Sequence, residues 1–146
     1  MKRIILIMVA TLLTLTWTSS YGQSLHFICF ADTDDVKIGK GVAKDVNLML
    51  DFVMFLSNKI GMEDNLKPAI VMMGKDCNSK NLVSIINQFT CNPDDIVIFY
   101  YTGHGTRSFV DKSDFPQMCL TSTSQKDYIP LEYVKDAIEK KAPDSA

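Results

Sequence analysis

His104 stands where chemistry could be done. It lies in the run Asp95-Ile-Val-Ile-Phe-Tyr-Tyr-Thr-Gly-His-Gly-Thr106, between Gly103 and Gly105. Imidazole is the side chain best matched to proton transfer near neutral pH. The two glycines let the backbone turn sharply and let a substrate chain come close to the ring. The unalternating Val, Ile, Phe and Tyr before them have the pattern of a parallel strand buried on both faces. Open α/β sheets carry their sites beyond the carboxyl ends of the strands, which is where this histidine falls. A histidine that merely caps a turn is the alternative. The second histidine, His26, sits at the opposite end of its own strand and is expected to be structural.

The elements that must position His104 follow from periodicity. Leu25–Ala31 is a first strand, followed by a loop at Asp32–Lys40. Apolar residues then recur at Val42, Val46, Met49, Val53, Leu56 and Ile60, steps of three and four that describe one face of a helix from Gly41 to Lys59. Gly61 is a helix stop. Pro68 bounds a second strand over Ala69–Met73. Asn78 or Ser79 caps a second helix whose stripe is Leu82, Ile85, Ile86 and Phe89. Asn92-Pro93-Asp94 turns the chain into the third strand. The mixed segment Thr106–Lys126 reads as a substrate-side loop with a short hairpin around Met118–Thr121. Pro130 opens a last helix with Leu131, Val134 and Ile138 buried, and Lys140 and Lys141 suit its carboxyl-terminal dipole.

This order predicts an α/β fold, a three-layer sandwich with a parallel sheet of Rossmann-like topology. Right-handed crossovers place the first strand in the centre, with the second and third on either side. The carboxyl ends of strands one and three then meet at the switch point. There Asp32-Thr-Asp-Asp35 faces Thr102-Gly-His-Gly105, which makes Asp32, Asp34 and Thr102 candidates for contact with substrate. The last helix leads towards a further strand that the sequence does not contain. The sheet is therefore expected to be incomplete at its carboxyl-terminal side, and the third strand to leave an apolar edge open to a carboxyl-terminal continuation or a second chain.

Composition narrows the function classes. The net charge is −2 with acids and bases interspersed, and no basic stripe with aromatics marks a nucleic-acid surface. Lys2 and Arg3 precede an apolar run from Ile4 to Trp17. Ser20 and Gly22 then place small residues at a cleavage site. That run is shorter than the roughly 20 residues of a membrane span. Residues 1–22 are read as a signal peptide of a secreted or periplasmic protein, and residues 23–146 as one domain that is not membrane-bound after cleavage. Of the four cysteines, Cys77 and Cys91 bracket a helix that would hold them roughly 20 Å apart, beyond disulfide reach. Cys29 reads as a small buried hydrophobe, and Cys119 falls in a polar segment after the His loop. Without a Cys-x-x-Cys pair no zinc site is expected, and no cofactor is called for.

Tyr101-Thr-Gly-His-Gly105 resembles the histidine motif of the caspase-like cysteine peptidases, the clan of caspases, metacaspases, legumains and gingipains. Leu25-His-Phe-Ile-Cys-Phe-Ala-Asp32 is similar to the first core strand of that fold. Gly39-Lys-Gly-Val-Ala-Lys-Asp-Val-Asn-Leu-Met49 resembles the opening of its first helix. The likeness covers about residues 25–140. It implies a Cys thiolate attacking a peptide carbonyl, His104 supplying the proton to the leaving amine, and the Gly105 N–H helping to hold the oxyanion. The partner is then a peptide or protein substrate. The family's Asp-x-Cys strand end is absent from this sequence, so the chain by itself is expected to be inactive. Related peptidases build part of their first specificity pocket from the loop after the first strand. Asp32 and Asp34 there point to Arg or Lys before the scissile bond.

Two other readings stay open. One is a non-catalytic binding protein on the caspase fold. The other is an unrelated flavodoxin-like binding domain, although the acids of Asp32–Asp35 would repel a phosphate.

Overall fold

A computed structural model describes residues 22–107, 115–121 and 126–141. The leader expected over residues 1–22 lies outside them except for Gly22, as do parts of the segment after His104. The elements run β1 (Leu25–Ala31), α1 (Gly39–Lys59), β2 (Ile70–Met73), α2 (Ser79–Gln88), β3 (Ile96–Thr102), β4 (Gly105–Thr106), β5 (Gln117–Thr121), β6 (Lys126–Pro130) and α3 (Leu131–Glu139). Helix α1 begins two residues before the expected Gly41, because the Gly39 N–H already bonds the Asp35 carbonyl at 2.8 Å.

The main sheet is parallel in the order β2-β1-β3, as the crossover argument requires. Ile28 pairs with Ile70 on one side and Phe99 on the other, and the full register of β1 against β3 runs from Leu25–Ile96 to Ala31–Thr102. The unbroken apolar runs of β1 and β3 conceal a clean period of two. Phe27, Cys29, Ala31, Ile98 and Tyr100 pack towards Val42, Val46 and Val53 of α1. Ile28, Phe30, Val97, Phe99 and Tyr101 pack towards Leu82 and Ile86 of α2 and Val134 of α3. Helices on both faces explain why no polar residue alternates in these strands. Each fully buried Leu, Ile or Phe contributes about 1.5–3 kcal/mol. Phe30 is wholly buried with its ring 6.1 Å from that of Phe99. Phe30→Ala would cost about 3–5 kcal/mol and loosen the centre of the sheet.

Local signals end the helices where expected. Gly61 has φ +68°, the left-handed conformation that stops α1. Asn78 caps α2, its side-chain oxygen accepting from the Asn81 N–H at 2.8 Å. Lys141, just past the end of α3, also reaches a second helix. Its ammonium donates to the Asn87 carbonyl at 2.7 Å, at the carboxyl end of α2.

One expectation is met and two need correction. Strand β3 is half-buried over Ile96–Tyr101, with the open apolar edge expected of it, while β1 is buried almost throughout. The cause is position: among the described residues β3 has β1 on one side and no strand on the other. His104 therefore follows an edge strand, and the central strand is β1. The hairpin around Met118–Thr121 is larger than expected, an antiparallel sheet of β4, β5 and β6. Cys119 is not in polar surroundings either. It lies within β5 between Met118 and Leu120, and all three are buried. Between β3 and α3 a largely apolar cavity of about 450 Å³ opens among Val97, Phe99, Phe115, Leu131, Val134 and Ile138, with Lys135 and Glu139 of α3 also lining it.

Candidate active site at the carboxyl ends of β1 and β3

The ladder between β1 and β3 continues one residue past the strands, where the Asp32 N–H donates to the Thr102 carbonyl at 3.0 Å. Beyond that bond the two chains part, and His104 and the Asp32–Asp35 loop face each other across the gap. The His104 Nε2 lies 3.1 Å from Asp35 Oδ2. The histidine side chain is 41% exposed and that of Asp35 17%. The other oxygen of Asp35, Oδ1, accepts from the N–H groups of Lys37 at 2.8 Å and Ile38 at 3.0 Å. The Ile38 and Lys37 N–H groups hold the Asp35 carboxyl below its ordinary value, and His104 adds to the effect.

The main chain of His104 is fixed from behind. Its carbonyl accepts from the Cys119 N–H at 2.9 Å. The Tyr101 hydroxyl lies 2.6 Å from the same carbonyl and 2.8 Å from that of Cys119, shared between them. Burial, with the nearby Cys77, Cys119 and Asp32, pushes the Tyr101 phenol far up, so it stays a donor. The two-residue strand β4, opened by Gly105 opposite Met118, then hands the loop to the antiparallel sheet.

The glycines act differently from the expectation. Neither Gly103 nor Gly105 has positive φ; among the described glycines only Gly61 and Gly74 do. Gly103 is needed for close approach. A Cβ there would stand 2.5 Å from the Tyr101 hydroxyl and 3.1 Å from the Asp32 Cβ. The small residue lets Tyr101 reach back to the His104 carbonyl and lets Asp32 lie beneath the turn.

The sequence-predicted site residues therefore divide. His104 and Gly105 are accessible at the carboxyl end of the sheet, with Gly105 exposed. Asp34 is exposed and lies against Gly74 at the end of β2, where an added Cβ would meet its carboxylate at 2.6–2.8 Å. Asp32 and Thr102 are buried, 6% and 8% exposed. The Thr102 hydroxyl donates to Asp45 of α1 at 3.1 Å, tying the end of β3 to that helix. The acid that reaches His104 is Asp35, which sequence reasoning passed over. A signal was present: an acid four residues before Gly39, in the loop that the topology sets against His104.

All four cysteines are reduced thiols. Burial pushes the Cys29 thiol from 9.0 to about 11. Burial, with Asp32 and Cys29 nearby, pushes that of Cys77 to about 12. Burial and then Asp95 raise Cys91, which Lys141 partly offsets. A nucleophilic cysteine needs the opposite, an electropositive and accessible place that favours the thiolate. No group of three or more His, Cys, Asp or Glu suited to a metal occurs among the described residues.

A parallel sheet between two helical layers, with a histidine presented beyond its carboxyl edge, defines the class as an α/β domain. The caspase-domain model matches residues 28–143, and the chain belongs to that family. The family is one of peptidases, whose substrates are proteins. No curated protein and no solved structure matches the chain.

Proposed function

We propose that this chain is the amino-terminal part of an exported caspase-like cysteine endopeptidase, with His104 as its proton carrier and the nucleophilic cysteine supplied from outside these residues. The observation that carries the reading is the meeting of His104 with an acidic loop at the carboxyl ends of β1 and β3. The outer side of β3, which no strand covers among the described residues, supports an additional strand there. The raised thiols of Cys29, Cys77 and Cys91 speak against a nucleophile among them. Export rests on Lys2, Arg3 and the apolar run that follows.

In this reading the incoming thiolate attacks the scissile carbonyl carbon, forming a C–S bond and an oxyanion that the Gly105 N–H helps to hold. Collapse of the oxyanion breaks the C–N bond, and His104 gives its proton to the departing amine. Water then attacks the thioester carbonyl, His104 takes the proton from that water, and collapse breaks the C–S bond to release the carboxylic acid and the thiolate. The exposed Asp34 meets an Arg or Lys side chain before the scissile bond, while buried Asp32 and Thr102 shape the floor beneath it.

The test has two stages. The chain alone should not cleave a panel of peptides, and joining it to a continuation that ends a strand in Asp-x-Cys should confer cleavage. Activity of the chain alone that vanishes on Cys119→Ala would place the nucleophile inside it and overturn the reading. A completed protein that binds peptides without cutting them would make it a binding protein on the same fold. With activity in hand, Arg and Lys substrates should be cut faster than Asn or Asp ones. An Arg preference that survives Asp32→Ala and Asp34→Ala together would remove that loop from specificity.

A further inference from the structure

We propose that Asp35 is the positioning residue of His104, fixing the ring in the Nε2–H tautomer so that Nδ1 is the nitrogen left to exchange protons with the reacting groups. The inference rests on the reading of His104 as proton carrier and deepens it. An ionised carboxylate only accepts hydrogen bonds, so a neutral imidazole facing it at 3.1 Å must carry its hydrogen on Nε2. The lone pair then belongs to Nδ1, the atom that takes a proton from water and, once protonated, gives one to the leaving amine.

The carboxylate is built to hold that orientation. Its Oδ1 is occupied by the Lys37 and Ile38 N–H groups, and only Oδ2 is turned to the histidine. Its own carbonyl accepts from the Gly39 N–H, so Asp35 is tied to the start of α1 at both ends of the residue. Those backbone donors favour the charged form, which keeps it an acceptor through the range where imidazole titrates. On the other side, Tyr101 and Cys119 fix the His104 carbonyl. With main chain and ring held from opposite directions, the half-exposed ring retains one presented orientation. A local turn would need only the Oδ1 bonds. The bond across to the histidine is additional.

The experiment reads the tautomer directly. The full chain, labelled with ¹⁵N, gives the two imidazole nitrogen shifts of His104 at a pH where the ring is neutral. The wild type should show Nε2–H. In Asp35→Asn the amide can keep its oxygen on the two backbone N–H groups and turns its NH₂ to Nε2, so His104 should switch to Nδ1–H. The His26 signals report whether the fold is intact and should not move. Asp35→Ala, with no group facing the ring, should give a mixture of tautomers.

A wild-type ring in the Nδ1–H form, or a tautomer unchanged in Asp35→Asn, overturns the proposal. This arm needs no peptidase activity, so it stands or falls apart from the functional reading. In the completed peptidase, Asp35→Asn should lower kcat by roughly a hundred- to ten-thousand-fold with KM little changed. A kcat within twofold of wild type, despite the switched tautomer, would also overturn it.

Discussion

Two histidine–aspartate pairs sit at opposite ends of the same sheet, and their bonds are almost the same. His26 meets Asp95 through Nε2 and Oδ2 at 3.1 Å, and His104 meets Asp35 through the same atoms at 3.1 Å. What separates them is surroundings. The side chains of the first pair are 13% and 3% exposed, those of the second 41% and 17%. Asp95 also accepts from the Ser24 and Asn92 N–H groups, both at 2.8 Å, and so gathers the entries to β1 and β3 into one knot. Phe89 closes on His26 edge-on, its ring centroid 5.2 Å away. A cavity of about 510 Å³ does open beside His26, but at the amino ends of the strands, where open α/β sheets do not place their chemistry. A hydrogen bond between imidazole and carboxylate thus says nothing about function by itself. Exposure, the end of the sheet and the chain's divergence beyond the strands are what set the two pairs apart.

The strongest way to break this contrast is to remove each ring in turn. In the completed peptidase, His104→Ala should cut turnover by roughly a hundred- to ten-thousand-fold while leaving the unfolding midpoint close to wild type. His26→Ala should do the reverse. It leaves Asp95 buried with one acceptor site unfilled, costing about 1–3 kcal/mol in urea unfolding, with kcat unchanged in the folded fraction. Comparable activity losses in both variants would mean that the two ends are coupled and that the comparison has been misdrawn.

A second substitution tests the support behind the ring. In Gly103→Ala the new methyl group meets the Tyr101 hydroxyl and Asp32, so Tyr101 must leave the His104 and Cys119 carbonyls. The expected cost is about 1–3 kcal/mol, with displaced His104 signals in the NMR spectrum. Gly41→Ala is the control. Nothing lies within 4 Å of its added Cβ, and alanine in a helix should stabilise by up to about 1 kcal/mol. If both variants unfold alike, close approach is not why Gly103 is glycine.

The core and topology were legible because they depend on pattern. Unbroken β1 and β3, the stripe at Val42, Val46 and Val53, and the Asn78 cap each follow from local chemistry. Right-handed crossovers with helices on both faces then set the order β2-β1-β3. The half-burial of β3 could be read only from topology, since its sequence is as apolar as that of β1 and only the count of neighbouring strands distinguishes them. The site was read at one end only. His104 stands out by type and by flanking glycines, but four consecutive loop positions, Asp32 to Asp35, carry three acids. Which of them crosses to the histidine depends on how the loop enters α1. Oδ1 of Asp35 does only what a turn carboxylate does, accepting the Lys37 and Ile38 N–H groups, while Oδ2 crosses to the histidine. Residue type placed acids near the ring; only three-dimensional geometry chose among them.

The smallest expected effect compares the two carboxylates. Burial pushes Asp95 up, but the Asn92 and Ser24 N–H groups and His26 outweigh it and hold the group below its ordinary 3.8. Asp35 is likewise held low, chiefly by the Ile38 and Lys37 N–H groups. A carboxylate whose folded pKa is depressed contributes stability that is fully present above its unfolded value. That contribution is lost as the pH falls through 3.8 and on through the lower folded value. Urea unfolding at a series of pH values should therefore show Asp95→Asn weaker than wild type by about 1–2 kcal/mol at neutral pH. The two curves should converge in acid, where the wild-type carboxyl is also protonated. Asp35→Asn should track wild type more closely throughout, because water reaches that pair and screens it. A gap for Asp95→Asn that persists undiminished in acid would show that the shape of the knot, and not its charge, holds the amino end of the sheet together.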